Sequence, residues 1–361
     1  MENLTANLTA NHTTEWTHGG TDALAPARHD FSTNSNACGP CPQALAAVQA
    51  ADPTCYPDPA YTVLRQRLAA FHAVTVERVL LAGSASEAIF RITAWAYLQG
   101  VRTVHLPAHH YGDYARAAQA WGLQRSSDDA AALSWACEPS SPLGQAHPGW
   151  PGWLGQQTAS AAAPAPVQSA LPAARHILVL DQAYAPLRLS GTPSLCDAQR
   201  NRLWQLFTPN KALGLTGVRA AYVIAPDAYA ISAAGQSMPA AAALDQLAAS
   251  WPIGAHGVAM LLAWVTPEVQ AWVANSLPTL RGWKARQIDL LARAGWRVQP
   301  SDANYFCAQP PQPLDLAALR SRYGIKLRDA TSFGLPGWFR LGVRAIQAQD
   351  ALAAALQRPH N

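Results

Sequence analysis

The chain has 361 residues, enough for two domains or one large α/β unit, and half of them are hydrophobic. Charged residues make up only 13%, against about a quarter in an average soluble protein, and the formal net charge is a mild +4. No basic block or Lys/Arg stripe stands out, which argues against a nucleic-acid partner, and the longest apolar runs stop short of a bilayer span, which argues against a membrane.

The first residues repeat Asn-Leu-Thr-Ala without a basic region leading into an apolar core. They read as a disordered leader over 1–15 rather than a signal peptide, and a cytoplasmic location is expected. Scattered thiols at Cys55, Cys137, Cys196 and Cys307 fit reduced side chains. Cys38-Gly39-Pro40-Cys41 is spelled like a thioredoxin redox motif, but the turn-rich Ser32–Ala37 precedes it where that motif needs a strand.

Residues 43–50 and 61–72 show helical spacing, with Val63, Leu64, Leu68 and Phe71 on one face of the second. Val79–Ala82 reads as a short buried strand, followed by Gly83-Ser84-Ala85-Ser86-Glu87 and an apolar helix from Ala88 to about Leu98. A strand, a small-residue turn and a helix make an anion site, because free N–H groups and the helix dipole both face the turn. Ala85 and Ser86 are its candidates. A second strand, Val101–Leu106, leads to Pro107–Tyr114, where Tyr111 is a candidate stacking ring. No third ligand is spaced to join His109 and His110 on a metal, so the pair is read as lining the site entrance, and no metal is expected.

Leu133–Ala136 enters Cys137-Glu138-Pro139-Ser140-Ser141-Pro142-Leu143-Gly144. Residues 145–172, rich in Ala, Pro, Gly and Gln, read as a loose surface connection and a candidate flap. The continuous apolar strand His176–Leu180 delivers Asp181, with Tyr184 close behind; an acid at a strand's carboxyl end sits where α/β sheets bind ligands. Phe207–Arg219 holds one lysine, Lys211, among apolar residues and glycines, with Arg219 eight positions on. Such surroundings favour a neutral amine, which condenses with an aldehyde, and an arginine suits a phosphate. After the strand Ala220–Ile224 an alanine-rich helical stretch is expected, then long helices over 256–296, a strand ending in Asn304-Tyr305-Phe306, and arginines at Arg328 and Arg340.

In this order the segments resemble the fold-type I aminotransferases, closest to the branch of histidinol-phosphate aminotransferase and threonine-phosphate decarboxylase, from about His18 to about Leu352. The resemblance implies an α/β fold of the PLP-dependent transferase type: an arm at 16–43, a large domain at 44–262 with a mostly parallel mixed sheet sandwiched by helices, and a smaller α+β domain at 263–361. It implies pyridoxal 5'-phosphate held by Lys211 as a Schiff base, with Asp181 at the pyridine nitrogen and Tyr184 at the phenolic oxygen. Tyr111 would lie on the ring, and Ala85, Ser86, Thr208 and Arg219 would hold the phosphate end. Ser141 stands where relatives carry an asparagine that donates to the phenolic oxygen. Tyr56, in Tyr56-Pro57, would reach across a homodimer interface to the other protomer's cofactor. Asn304, Arg328 and Arg340 would meet an amino substrate and an oxo acid. His18-Gly19-Gly20 is similar to the start of the threonine-phosphate decarboxylases, so transamination and decarboxylation both stay open. From other classes, a cofactor-binding regulator built on a degenerate aminotransferase and a thiol oxidoreductase using Cys38 and Cys41 remain as alternatives.

Overall fold

The computed structural model describes residues 19–127, 131–154, 176–227, 230–233 and 236–357. The expected leader at 1–15, His18 and the 155–172 part of the expected flap lie outside the described residues.

The N-terminal arm carries β1 (His29–Asp30), which pairs in parallel with Ile325–Lys326 near the other end of the chain. Pro42 opens α1 (Pro42–Gln49), since its fixed φ suits a first helical position, and α2 (Thr62–His72) turns Leu64 and Leu68 inward. In β2 (Val79–Ala82), Leu80 and Ala82 join one apolar cluster while Val79 and Leu81 join another on the opposite face. That alternation marks a strand covered on both sides. The next helix, α3 (Ala85–Leu98), starts three residues before its apolar run, because Ser84 accepts from the Glu87 N–H at 3.0 Å and caps it.

β3 (Thr103–His105), α4 (Gly112–Ala120), β4 (Gln124–Ser126), β5 (Leu133–Cys137), β6 (Ile177–Asp181), α5 (Asp197–Arg200), β7 (Trp204–Phe207) and β8 (Ala221–Ile224) complete the large unit. Its seven strands run in the order β2-β8-β7-β6-β5-β3-β4. Only β8 is antiparallel to its neighbours. Parallel neighbours need crossovers, and the helices that supply them cover the sheet.

The alanine-rich stretch after β8 departs from expectation. It begins with a hairpin, β9 (Ala230–Ala233) and β10 (Gln236–Pro239), before α6 (Ala240–Asp245). Pro239 ends β10 and stands at the N-cap of α6, so the helix starts at Ala240. Next come α7 (Ala255–Trp264) and α8 (Pro267–Arg293), a helix of 27 residues; the expected boundary at 262/263 falls near the end of α7.

The remaining elements are β11 (Arg297–Val298), β12 (Tyr305–Gln309), α9 (Leu316–Tyr323), β13 (Ile325–Lys326), β14 (Arg328–Asp329), β15 (Phe339–Gly342) and α10 (Ile346–Leu356). β11-β12-β15-β14 form a four-stranded antiparallel sheet. Among the described residues no single helix is long and apolar enough to cross a membrane.

Candidate active site

The carboxyl ends of β2, β5, β6 and β7 converge on one cavity of about 1020 Å³, reached there by Ser86, Cys137, Asp181 and Thr208. A crevice beyond the strand ends is the usual ligand position in such sheets. The arm, the loop after β7 and β15 of the small sheet close its other sides.

Asp181 lies on the floor, 4% exposed. It accepts from Tyr114 Oη at 2.6 Å and from the Ala183 N–H at 2.9 Å. Burial pushes its carboxyl above the ordinary value, opposed by those two hydrogen bonds and the charge of Lys211. Tyr114 was not picked out from the sequence; its signal was the three-residue spacing from Tyr111 across the first turn of α4. It is fully buried and stacks on Trp135 at 4.7 Å.

Lys211 sits in the loop between β7 and β8, half-buried, with Nζ 5.2 Å from the centroid of the Tyr184 ring. The arm fixes this loop. Asn36 N–H donates to the Lys211 carbonyl at 2.9 Å, and Cys41 N–H to the Leu213 carbonyl at 2.8 Å. Gly214 has φ +70°, and a Cβ there would come within 3.0 Å of Pro40 Cα, so only glycine lets the two segments meet. Cys38-Gly39-Pro40-Cys41 thus clamps the lysine loop. Both thiols are free, and burial pushes the Cys38 thiol up, away from the reactive thiolate.

At the start of α3, the N–H groups of Ala85 and Ser86 have no acceptor within the helix. Ser86 Oγ lies 3.2 Å from Tyr111 Oη, and burial pushes the Tyr111 phenol up. Thr208 Oγ1 donates to Asn210 Oδ1 at 3.0 Å. Arg219 is exposed and lines the same cavity.

Arg340 enters from β15, 7% exposed. Its Nη1 donates to Ser141 Oγ at 3.4 Å and its Nη2 to the Ser32 carbonyl at 3.2 Å. Arg328 stands opposite it on β14 and is not among the cavity's lining residues; it donates to the Asp329 carbonyl at 2.7 Å and to Ser332 Oγ at 2.8 Å. Its guanidinium is pushed down to about 10, first by burial and then by the charge of Arg340.

Two of the expected positions need correction. Asn304 does not reach the cavity: fully buried, it donates from Nδ2 to the carbonyls of Asn34 and Ser35 at 3.3 and 3.2 Å, so it braces the arm instead. Tyr56, expected to serve the other protomer, is exposed, stacked on Trp251 at 4.5 Å, and lies outside its own protomer's cavity. His109 and His110 do not line the entrance either; His109 Nδ1 is 2.8 Å from the Phe333 carbonyl and His110 Nδ1 is 3.0 Å from the Tyr111 carbonyl. Asn34, which does reach the cavity and touches Tyr184, was also not picked out; nothing in its turn-forming neighbourhood marked it.

This donor set fits pyridoxal phosphate. An amine faces the cavity, a buried carboxylate waits for a cationic N–H, and two unpaired N–H groups beside a hydroxyl and an arginine suit a phosphate. A model of the family described as "Aminotransferase class I and II" matches residues 158–358, more than half of the chain. The chain is 26% identical over 351 residues to a histidinol-phosphate aminotransferase of Burkholderia mallei, covering 91% of each. It shares its fold with histidinol-phosphate aminotransferase of Sinorhizobium meliloti, solved in complex with pyridoxal-5'-phosphate, at a TM-score of 0.69 and 20% identity over 90% of this chain and 88% of that one. The L-threonine-O-3-phosphate decarboxylase of Porphyromonas gingivalis has the same fold, at a TM-score of 0.61 and 18% identity over 87% and 91%. The chain belongs to the class I and II aminotransferases and is a pyridoxal-phosphate-dependent aminotransferase.

Proposed function

We propose that this aminotransferase moves an amino group between a phosphorylated or carboxylated amino substrate and a 2-oxo acid, as the histidinol-phosphate aminotransferases it resembles are named for doing. One observation carries the choice of an anionic substrate. Arg340 is buried at the cavity wall and forms no ion pair among the described residues. A buried guanidinium without a counter-charge is costly, and a planar carboxylate or phosphate removes that cost bidentately.

When bound, the cofactor supplies an electron-withdrawing ring that acidifies the substrate's Cα–H. The protein's residues do the rest. Lys211 Nζ would hold the cofactor and, facing the cavity, would accept and return the substrate's proton. Asp181 would hold a protonated ring nitrogen, and Tyr111 would cover the ring. Ala85, Ser86, Thr208 and Arg219 hold the phosphate, while Tyr184 and Ser141 face the phenolic oxygen. Arg340, backed by Arg328, orients the substrate so that the bond to be broken stands perpendicular to the ring. The arm at 16–43, a large domain at 44–262 and a small one at 263–361 remain our working division. A homodimer, with Tyr56 exposed for the neighbouring protomer's site, completes the reading.

A second reading, decarboxylation of threonine phosphate, rests on the resemblance of His18-Gly19-Gly20 to the start of those decarboxylases, and Gly19 and Gly20 line the cavity. Gly19 packs against the substrate arginine, and a Cβ there would fall 3.4 Å from Arg340 Nη2 and 2.1 Å from the Ser32 carbonyl oxygen. The Gly19-Gly20 turn is therefore part of the substrate wall. The test is to incubate the holoenzyme with histidinol phosphate and 2-oxoglutarate, following glutamate, and separately with phosphothreonine, following aminopropanol phosphate. Glutamate formation supports the first reading; aminopropanol phosphate without glutamate replaces it with the second.

A further inference from the structure

Asn34 is 2% exposed, sits in the arm and lines the cavity. Its Nδ2 donates to Tyr184 Oη at 3.3 Å. Asn304 grips its backbone carbonyl, which fixes where the side chain starts. Its Oδ1 is buried with no partner among the described residues, an arrangement that costs stability. Asn304 Oδ1 is buried without a partner in the same way, so what sets Asn34 apart is that it lines the cavity and meets a phenol there. Here the nitrogen is kept on a phenol while the oxygen goes without.

A phenol oxygen that accepts from Asn34 keeps its own hydrogen for another acceptor. The Tyr184 ring meets Tyr305 edge-on at 4.6 Å and Lys211 Nζ at 5.2 Å from its centroid, and neither contact occupies the hydroxyl. Ser141, also at the cavity, offers only a short hydroxyl, already tied to Arg340.

We infer that Asn34 is a positioning residue that holds the Tyr184 hydroxyl proton toward the cofactor's phenolic oxygen. The inference rests on the role given to Tyr184 in the proposed function. A donor to that oxygen stabilises negative charge there and makes the linkage between Lys211 and the cofactor easier to deprotonate.

The test reads the pH midpoint of the bound cofactor's visible absorption change, with circular dichroism confirming the fold of each variant. Tyr184→Phe moves the midpoint up. Asn34→Ala also moves it up, by about 0.5–1 unit, and Asn34→Asp, isosteric but acceptor-only, moves it the same way by drawing the phenol proton to itself. The Asn34→Ala/Tyr184→Phe double variant shifts no further than Tyr184→Phe alone, since both changes act through one hydroxyl. A midpoint that moves in Tyr184→Phe but in neither Asn34 variant overturns the inference and leaves the role of Tyr184 intact, as do shifts that simply add. A midpoint unmoved by Tyr184→Phe overturns both.

Discussion

Arg328 and Arg340 stand directly opposite each other on neighbouring antiparallel strands, and both are buried. Two like charges in that position repel at short range; Arg328 is held below its ordinary value first by burial and then by the charge of Arg340. An anion drawn to Arg340 relieves both. Arg340→Ala is therefore expected to lower kcat/KM for anionic substrates by about 10–100-fold, the value of a charged hydrogen-bond pair, mostly through KM. In thermal melts, inorganic phosphate should stabilise the wild-type apoprotein more than Arg340→Ala. Equal stabilisation would remove Arg340 from the substrate site.

Lys211→Ala is expected to lose the visible absorption of the cofactor linkage and all turnover. Lys211→Arg keeps a cation in the loop but cannot form the linkage, so it should behave the same way. Absorption spectra and borohydride trapping with peptide mapping check both.

Asp181 has a pH signature in the apoprotein. Its folded-state value is raised by burial, so the folded protein holds that proton more tightly than the unfolded chain does. Its contribution is present below the ordinary carboxylate value of about 4 and is lost as pH rises through the raised value. Asp181→Asn should thus make the apoprotein more stable than wild type at neutral pH, with the gap closing as pH falls; calorimetry over that range reads it. In the holoenzyme the order of merit reverses, and the same variant should lose roughly 100-fold or more in kcat.

Ser86→Ala and Arg219→Ala should each weaken cofactor retention, by about 10-fold for a hydrogen bond and up to about 100-fold for the charged contact. Equilibrium dialysis against free pyridoxal phosphate measures both. Retention unchanged in Arg219→Ala would move the phosphate contact elsewhere.

Light scattering should find a dimer, and Tyr56→Ala should lower cofactor affinity without unfolding the protein, because the side chain is exposed on its own protomer. A fully active monomer would contradict the assignment.

The features legible in the sequence are those with local signals. The strand that delivers Asp181 is a continuous apolar run, and the turn at Ser84–Ser86 leads into a long apolar helix, so periodicity and capping alone place both. Lys211 stands out because nothing else around it is charged until Arg219. Asn304 was misplaced because a residue just before a strand can face the cavity or the chain behind it, and only the register with β15 decides. Asn34 and Tyr114 reach the site through contacts 150 and 67 residues away in sequence, which no local pattern encodes. The hairpin after β8 was hidden by alanine's helix preference, which Pro239 overrides.

The clamp between Asn36, Cys41 and the lysine loop has a consequence for biosynthesis. The arm that makes it is also stitched to Ile325–Lys326 and to Gly342, so the earliest part of the polypeptide acquires its seat only after nearly all of it has left the ribosome. Vitamin capture is therefore a finishing step of maturation, and stalled or truncated chains ending before β15 should emerge colourless however much vitamin surrounds them.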